Sequence, residues 1–464
     1  MLMTLSTARR RADEHAMVTL DIWAGQELIG VLAHEAQANR FSFEYAAGWQ
    51  NAGNSFPLSP QLPLHRFSND SPEQHSAQVR QFFENLLPEG EALDHAAQAA
   101  GTTRSNLVGL LIALGKETAG ALRVTLTDAK AVGLAAESAD QLREITPAQL
   151  SERIRERENL PFSVWDGKVR LSIAGYQEKI AVYEKEGRWY LVEGGRLAST
   201  EIVKPLPVRK QLASLPAIEH MSMQLARRIG LEVASTRLIH VPEPVLLVHR
   251  FDRVEVPGEV RRLHIVDGCQ ALGLAVSMKY ERAYGDAADV AYLREGVSFP
   301  KLFSLVDQSP LPAVDRLGLL RWAIFQVLIG NTDAHGKNVS FYCDERGLRL
   351  APAYDLVCMK ALDAGFGDAY AMAYGDAFSE GELNPYEWGH FAYLCKLPFR
   401  LVANELDVLA GKVSAVMDDL VAEKVQQAVP ATVAQRFKEV VLGICARQQI
   451  YSKHIARAKR ADYE

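Results

Sequence analysis

A chain of 464 residues exceeds the usual size of a single domain and predicts two or three structural units. Its composition, 48% hydrophobic and 23% charged, is typical of a globular enzyme and excludes a disordered or fibrous chain. A formal net charge of -6 argues against a protein that wraps nucleic acid over its whole surface.

Cysteine usage and hydropathy bear on the cellular compartment. The five cysteines are odd in number and widely spaced, and none belongs to a CxxC pair, so neither a disulfide framework nor a zinc site is indicated. The N-terminal segment lacks the apolar stretch of a signal peptide, and no run approaches the length of a membrane span. The sequence therefore predicts a cytoplasmic protein that does not enter a membrane.

Residues 17–127 are predicted to form a first, small α/β unit. Its expected elements are a hairpin of strands 18–23 and 27–32, a strand at 41–45, helices at 78–87 and 107–114, and a strand at 121–126. The rings of Phe41, Phe43 and Tyr45 alternate with polar residues and share one face of their strand. Residues 128–165, rich in Ala, Glu and Arg, predict a helical connection to the next unit.

Residues 166–253 are predicted to be rich in strands, and residues 254–464 mainly helical. The expected strands are 169–174, 179–183, 189–192, 201–204, 236–241 and 245–249, with a helix at 218–229 that ends at Gly230. Residues 319–329 are apolar nearly all round, which predicts a buried helix. Gly330 ends that helix, and a polar loop follows it.

This loop, Gly330 to Asn338, carries residues suited to phosphoryl transfer. Such a reaction needs a carboxylate to orient the attacking hydroxyl group and an oxygen ligand to help hold magnesium. Asp333 and Asn338 have this chemistry, and their spacing equals that of the HRDxxxxN loop of protein kinases. Asp355 follows Asn338 after a hairpin predicted at 345–347, where a second metal carboxylate is expected.

The same loop has other interpretations when it is considered alone. An Asp and an Asn five residues apart are common in ordinary turns. His335 near Asp333 also suggests a metal-dependent hydrolase, but two further ligands at metal spacing are missing nearby, which argues against zinc.

Longer motifs resemble the HipA kinases. Residues 171–179 (LSIAGYQEK) resemble the S-x-A-G-x-Q-x-K signature of that family, and residues 331–338 (NTDAHGKN) resemble its T-D-x-H-x-K-N loop. FENLLPEG at 83–90 and VHRFDR at 248–253 are similar to further family blocks, so the resemblance extends from about residue 18 to 450. It implies an α+β, two-lobed protein-kinase-like fold with an N-terminal α/β subdomain and an all-α C-terminal lobe.

The resemblance also implies ATP and Mg²⁺ as cofactors and assigns roles to individual residues. Asp333 would be the catalytic base, Asn338 and Asp355 the magnesium ligands, and Lys204, paired with Glu219, the lysine that holds the α- and β-phosphates. His335 and Lys337 would lie near the transferred phosphate as catalytic residues. The other implied ATP-binding residues are Ser172, Ile173, Ala174, Gly175, Gln177, Lys179, His249 and Phe251 of the hinge, and Asp252 near the ribose.

Members of this family act in type II toxin-antitoxin modules, which implies regulation and partners. Ser172 would be an autophosphorylation site that switches the enzyme off, since a phosphate there would repel bound triphosphate. The implied substrate is a translation component such as an aminoacyl-tRNA synthetase. The implied partner is a HipB-like helix-turn-helix antitoxin, which would provide the only link to DNA.

Two alternatives from other functional classes remain open at this point. The chain could be a kinase-fold corepressor that acts with a DNA-binding antitoxin and has little catalytic activity. It could also be a small-molecule or lipid kinase, because its phosphate loop departs from the glycine-rich pattern. Intact Asp333, Asn338, Asp355 and Lys204 argue against the first alternative.

Overall fold

The computed structural model describes residues 17–66, 71–127, 140–158, 160–170, 177–193, 195–362 and 365–464. They form an N-terminal unit, a sheet-rich N-lobe and a mainly helical C-lobe, which agrees with the predicted α+β class. Among these residues, every helix is too short or too polar to cross a membrane. The domain boundaries after residues 127, 165 and 253 remain predictions.

The N-terminal unit packs a four-stranded antiparallel sheet against short helices. Its elements are β1 (Met17–Ala24), β2 (Glu27–Glu35), β3 (Arg40–Tyr45), α1 (Ala47–Gln50), α2 (Pro72–Glu84), α3 (Gly90–Ala99), α4 (Leu107–Leu114) and β4 (Leu122–Leu126). The strand order is β3-β2-β1-β4. The predicted hairpin and the helix at 107–114 are confirmed, and Phe41 and Phe43 face the core together.

Helix α2 begins six residues before the predicted start and ends at Glu84, three residues before the predicted end. Its start is fixed by a capping box, in which Ser71 Oγ accepts the N–H of Gln74 at 3.1 Å and Gln74 Oε1 accepts the N–H of Ser71 at 3.0 Å. Pro72 occupies the first turn, where its missing N–H costs nothing. This capping signal is visible in the sequence as S-P-E-Q at residues 71–74.

The predicted helical connection is only partly helical. Residues 128–139 lie outside the described residues, and the next segment is strand β5 (Gln141–Ile145), followed by helix α5 (Pro147–Glu156). Strand β5 pairs with β9 (Arg188–Glu193) at the edge of the N-lobe sheet and buries only Ile145. An edge strand with one buried side chain has no alternating apolar pattern, so its sequence resembled a polar helix.

The further elements of the N-lobe are β6 (Val164–Trp165), β7 (Lys168–Val169), β8 (Ile180–Lys185), β9 (Arg188–Glu193), β10 (Glu201–Pro205), α6 (Leu215–Arg228), β11 (Thr236–His240) and β12 (Pro244–His249). The main sheet of the lobe has six strands in the order β11-β12-β10-β8-β9-β5. Glu186 and Gly187, which both have positive φ, form the turn between β8 and β9. Most of the strand predicted at 169–174 lies outside the described residues.

The C-lobe is mainly helical but not all-α, which corrects the prediction. Its elements are β13 (Arg253–Val256), β14 (Glu259–Arg262), β15 (Ile265–Asp267), α7 (Gly268–Leu272), α8 (Phe299–Val306), α9 (Pro312–Leu328), β16 (Ser340–Asp344), β17 (Gly347–Leu350), β18 (Ala369–Tyr374), β19 (Ala377–Ser379), α10 (Pro385–Leu394), α11 (Phe399–Gln426) and α12 (Ala431–Ile455). Strand β15 pairs with β16 across more than 70 residues of chain, a contact that local patterns do not encode. The buried helix predicted at 319–329 is the second half of α9.

A buried ionic network joins the N-terminal unit to the hinge between the two lobes. Glu117 accepts hydrogen bonds from Arg250 at 3.1 Å, from Arg253 at 3.3 Å and from Arg262 at 3.1 Å. Asp252 binds Arg250 and Arg253 and also accepts the N–H of Gly120 at 2.7 Å. The loop after α4 is therefore tied to the chain segment that connects the lobes.

Candidate functional site

A cleft of about 590 Å³ lies where the three parts of the chain meet. It brings together all the predicted site residues that the structure describes, namely Gln177, Lys179, Lys204, His249, Phe251, Asp252, Asp333, His335, Lys337, Asn338 and Asp355. The predicted residues Ser172, Ile173, Ala174 and Gly175 lie outside the described residues. Residues more than 150 positions apart in the sequence thus line one cavity.

The loop after α9 is held in a fixed conformation by its own side chains. Asn331 Oδ1 accepts the N–H of Asp333 at 3.0 Å, and Asn331 Nδ2 donates to Gln326 in the last turn of α9 at 2.8 Å. Asn338 Nδ2 donates to the carbonyl oxygen of Asp333 at 2.9 Å, which closes the loop. The five-residue spacing therefore places the Asp333 carboxylate and the Asn338 amide at one end of the cleft.

Lys204 on β10 connects the two lobes through carboxylates. Its ammonium group lies 2.7 Å from Glu219 on α6 and 2.7 Å from Asp355 in the C-lobe. Burial alone would lower the pKa of Lys204, but Asp355 and Glu219 outweigh burial and raise it, so the ammonium stays charged. The Lys204 to Glu219 pair, which the sequence suggested, is present.

The pKa values of the two carboxylates are shifted in opposite directions. Burial disfavours the charged form of Asp355, but Lys204 and Lys179 outweigh burial and lower its pKa to about 2. Burial dominates at Glu219 and raises its pKa to about 7, although Lys204 opposes the rise. Asp355 also has a φ of +56°, which non-glycine residues adopt uncommonly and which is frequent at functional sites. Asp355 is therefore ionised near neutral pH, and it lines the cleft.

Lys179 lies at the start of β8, close to the same cluster. Burial and then the positive charge of Lys204 lower the pKa of Lys179 to about 8. Gln177 lines the cleft two residues before it. The described end of the predicted phosphate loop therefore brings a second lysine into the cleft beside Lys204.

Asn338 and Asp355 offer the oxygen ligands that magnesium prefers. The Nδ2 group of Asn338 is used in the loop, which leaves its Oδ1 as the amide group's ligand atom. A carboxylate and an amide oxygen, together with waters and phosphate oxygens, form a typical magnesium donor set. These two residues fit the predicted metal.

Lys337 lines the cleft, but its ammonium group is bound by other residues of the protein. Its buried ammonium group donates to the carbonyl oxygen and Oδ1 of Asn85, at 2.9 and 3.0 Å, and to Asp267 at 2.6 Å. All three of its hydrogens thus have protein acceptors. The geometry argues against a direct contact of Lys337 with the transferred phosphate and indicates that Lys337 fixes the loop against the N-terminal unit.

His335 is buried and is better suited to a neutral role than to a cationic one. Burial lowers its pKa, and its Nδ1 accepts the N–H of Lys337 at 3.3 Å. Its ring packs edge-on against Tyr280 with ring centres 5.2 Å apart. His335 lines the cleft, but the cation that was predicted next to the phosphate is not supplied by His335 or Lys337.

The hinge residues divide into two groups. His249 lies at the end of β12 with Nδ1 2.7 Å from Glu201, and Phe251 packs against Tyr354 with ring centres 5.7 Å apart. Both line the cleft, and their role as hinge residues that contact ATP stays a prediction. Asp252 instead uses both carboxylate oxygens in the buried network described above, so the geometry argues against the predicted contact with a ribose.

Several cleft residues were missed by the sequence reasoning. They are Asn85 and Glu89 of the N-terminal unit, and Asp267, Lys279, Tyr280 and Tyr354 of the C-lobe. The block FENLLPEG contained the first two, and that block was the only signal for them. Lys279 and Tyr280 belong to a segment without periodicity, so only the fold reveals their position.

Comparisons with known proteins agree with this architecture. Two family models match the chain, the HipA N-terminal domain over residues 20–125 and the HipA-like C-terminal domain over residues 171–429. The serine/threonine-protein kinase toxin HipA of Shewanella oneidensis is 37% identical over 407 residues, which cover 87% of this chain and 89% of the relative. The Y4mE protein of Sinorhizobium fredii is 32% identical over 417 residues, which cover 86% and 92%.

A solved structure is similar over nearly the whole length. The complex of HipA, HipB and operator DNA from Shewanella oneidensis MR-1 contains a chain that matches with a TM-score of 0.83 and 34% identity. The match covers 95% of this chain and 100% of that chain. The order of the N-terminal unit, the N-lobe and the C-lobe is thus shared with that structure.

Proposed function

Because this chain belongs to the HipA family, we propose that it is a serine/threonine protein kinase that transfers the γ-phosphate of ATP to a protein hydroxyl group. The observation that carries the proposal is the Lys204, Glu219 and Asp355 cluster, which lies in one cleft with Asp333 and Asn338. This set would combine a lysine that binds the phosphates, two metal ligands and a carboxylate base.

Each residue has a role that follows from its contacts. Asp333 orients the acceptor hydroxyl group and accepts its proton as the oxygen attacks the γ-phosphorus and the bond to the bridging oxygen of ATP breaks. Lys204, kept charged by its two carboxylates, binds the phosphates. Asn338 and Asp355 would hold Mg²⁺, which supplies neutralising charge to the phosphate oxygens when bound.

The biological role that we propose is that of a toxin in a type II toxin-antitoxin module in the cytoplasm. The relative from Shewanella oneidensis carries the name of a toxin, and its structure was solved with HipB and operator DNA. A HipB-like helix-turn-helix antitoxin is therefore the proposed partner, with DNA contacted through it. A component of translation, such as an aminoacyl-tRNA synthetase, is the proposed substrate, and Ser172 the proposed autophosphorylation site.

Intact mass after incubation with Mg-ATP tests the proposed chemistry. We expect the wild type to gain one phosphate, and neither Asp333→Asn nor Ser172→Ala to gain it, because the first lacks the base and the second the acceptor. Phosphoamino-acid analysis should then place the label on serine, whereas a lipid or metabolite kinase would leave little label on the protein. No gain by wild-type protein that starts unphosphorylated would favour the kinase-fold corepressor instead.

Replacement of Lys204 by methionine tests the phosphate contact. We expect kcat/KM for ATP to fall by about a hundredfold, since a preorganised cation is removed and two carboxylates lose their partner. Steady-state kinetics measure the effect, and Lys185→Met, an exposed lysine on the same sheet, is the matched control. Equal activity of the two variants would exclude a phosphate contact at Lys204.

A further inference from the structure

The segment around residue 280 is fixed against the catalytic loop by its backbone. The N–H of Gly336 donates to the carbonyl oxygen of Lys279 at 2.9 Å, and the N–H of Glu281 donates to Ala371 of β18 at 2.9 Å. A Cβ atom on Gly296 would lie 1.8 Å from the carbonyl oxygen of Tyr280, so glycine is needed there for this close approach. The backbone on either side of Tyr280 is thus fixed, by the catalytic loop at Lys279 and by β18 at Glu281.

The side chain of Tyr280 contacts the proposed catalytic base directly. Its hydroxyl group donates a hydrogen bond of 2.8 Å to Oδ1 of Asp333, and its ring rests edge-on against His335. Burial and the Asp333 carboxylate raise the pKa of Tyr280, so its hydroxyl group keeps its proton and acts as a donor. Because Oδ1 already accepts this bond, Oδ2 is the less engaged carboxylate oxygen for an acceptor hydroxyl group.

The N-terminal unit reaches the same residues. Lys279, next to Tyr280, forms an ion pair of 2.7 Å with Glu89, and both side chains are largely buried. Lysines 279 and 337 together lower the pKa of Glu89 although burial opposes them, so Glu89 stays ionised. Asn85, four residues earlier in the loop between α2 and α3, holds Lys337 of the catalytic loop. Two residues of the unit outside the kinase lobes therefore brace the loop.

We propose that Tyr280 is a positioning residue that fixes the Asp333 carboxylate with Oδ2 toward the acceptor, and that Glu89 holds Tyr280 in place through Lys279. The inference rests on the proposed function of Asp333 as the base. It gives the N-terminal unit a part in catalysis, because the Glu89 carboxylate of that unit holds the segment from which Tyr280 contacts Asp333. Orientation of a catalytic group by such a contact affects the chemical step more than substrate binding.

Steady-state kinetics of Tyr280→Phe provide the test. We expect kcat to fall about tenfold, the usual value of one hydrogen bond to a charged group, while the KM for ATP and the thermal midpoint stay unchanged. Phenylalanine keeps the ring contact with His335 and removes only the donor. Tyr292→Phe is the matched control, because Tyr292 is 74% exposed and is expected to have wild-type kinetics.

A second variant tests the contribution of the N-terminal unit. Glu89→Gln is expected to lower kcat about threefold in the same way, since Lys279 keeps a neutral acceptor but loses its charge partner. Unchanged kcat in Tyr280→Phe, with Asp333→Asn inactive, would overturn the positioning role and leave the proposed function intact. Full activity of Asp333→Asn would instead overturn the proposed function itself.

Discussion

Replacing Asp333 with asparagine is expected to lower kcat about a thousandfold, while ATP still binds with wild-type affinity. Asparagine is nearly identical in shape to aspartate but cannot accept the proton of the acceptor hydroxyl group. The side chain that orients the nucleophile is therefore kept in place, and only its basicity is lost.

The structure explains why this substitution should leave the site assembled. The loop contacts of residue 333 are made by its main chain, whose N–H binds Asn331 and whose carbonyl oxygen binds Asn338. Tyr280 can donate to an amide oxygen as it does to the carboxylate. The metal ligands Asn338 and Asp355 are untouched, so nucleotide affinity reports on a different part of the site.

Single-turnover kinetics and nucleotide titration separate the two effects. Asp289→Asn, an exposed residue outside the cleft lining, is the matched control. A loss of ATP affinity equal to the loss of rate would mean that Asp333 acts through the nucleotide site. Rate loss at unchanged affinity is the result that the assignment of Asp333 as the base requires.

The sequence predicted those parts of the site that are encoded locally. The spacing of Asp333 and Asn338 was visible because one short loop between a buried helix and a strand holds both residues. Helix 107–114 was recognised for a similar reason, since its apolar residues and its glycine stop are contiguous. Lys204 was identified through the resemblance to the family. Its pairing with Glu219 was predicted, but its ion pair with Asp355 was not.

The failures share a physical cause, which is that a sequence does not show which neighbour a polar side chain meets. Lys337 was assigned to the phosphate, but it is bound by Asn85 from 252 residues away. Asp252 was assigned to the ribose, but two arginines and the N–H of Gly120 surround it. Tyr280 was missed because its contact with Asp333 depends on the packing of a segment that has no regular structure.

The corrected position of Asp252 leads to the largest expected effect on stability. Glu117 is the only carboxylate of the N-terminal unit in this described network, and it faces Arg250, Arg253 and Arg262. Replacing Glu117 with glutamine leaves Asp252 as the carboxylate partner of Arg250 and Arg253, and it removes the carboxylate that faces Arg262. A buried network that loses one charge keeps the desolvation cost of the others, so we expect a loss of about 3 kcal/mol in the free energy of unfolding.

Denaturant unfolding of the two proteins at several pH values measures this loss. The arginines outweigh burial and lower the pKa of Glu117 from 4.5 to about 2. Because the pKa is lower in the folded state, the charge of Glu117 stabilises the protein fully above pH 4.5, and this contribution is lost as the pH falls toward 2. The stability difference between wild type and Glu117→Gln should therefore be largest near neutral pH and should shrink in acid.

The matched control is Glu259→Gln, which removes a half-exposed carboxylate from a 3.9 Å surface pair with Arg261. Such a pair contributes less than about 1 kcal/mol, so this variant is expected to unfold like the wild type. If Glu117→Gln also unfolded like the wild type at pH 7, the charge of Glu117 would not be needed to stabilise the three arginines, and the prediction would be wrong. If it is destabilised as expected, the loop after α4 stabilises the hinge segment, and the N-terminal unit contacts both the hinge and the catalytic loop.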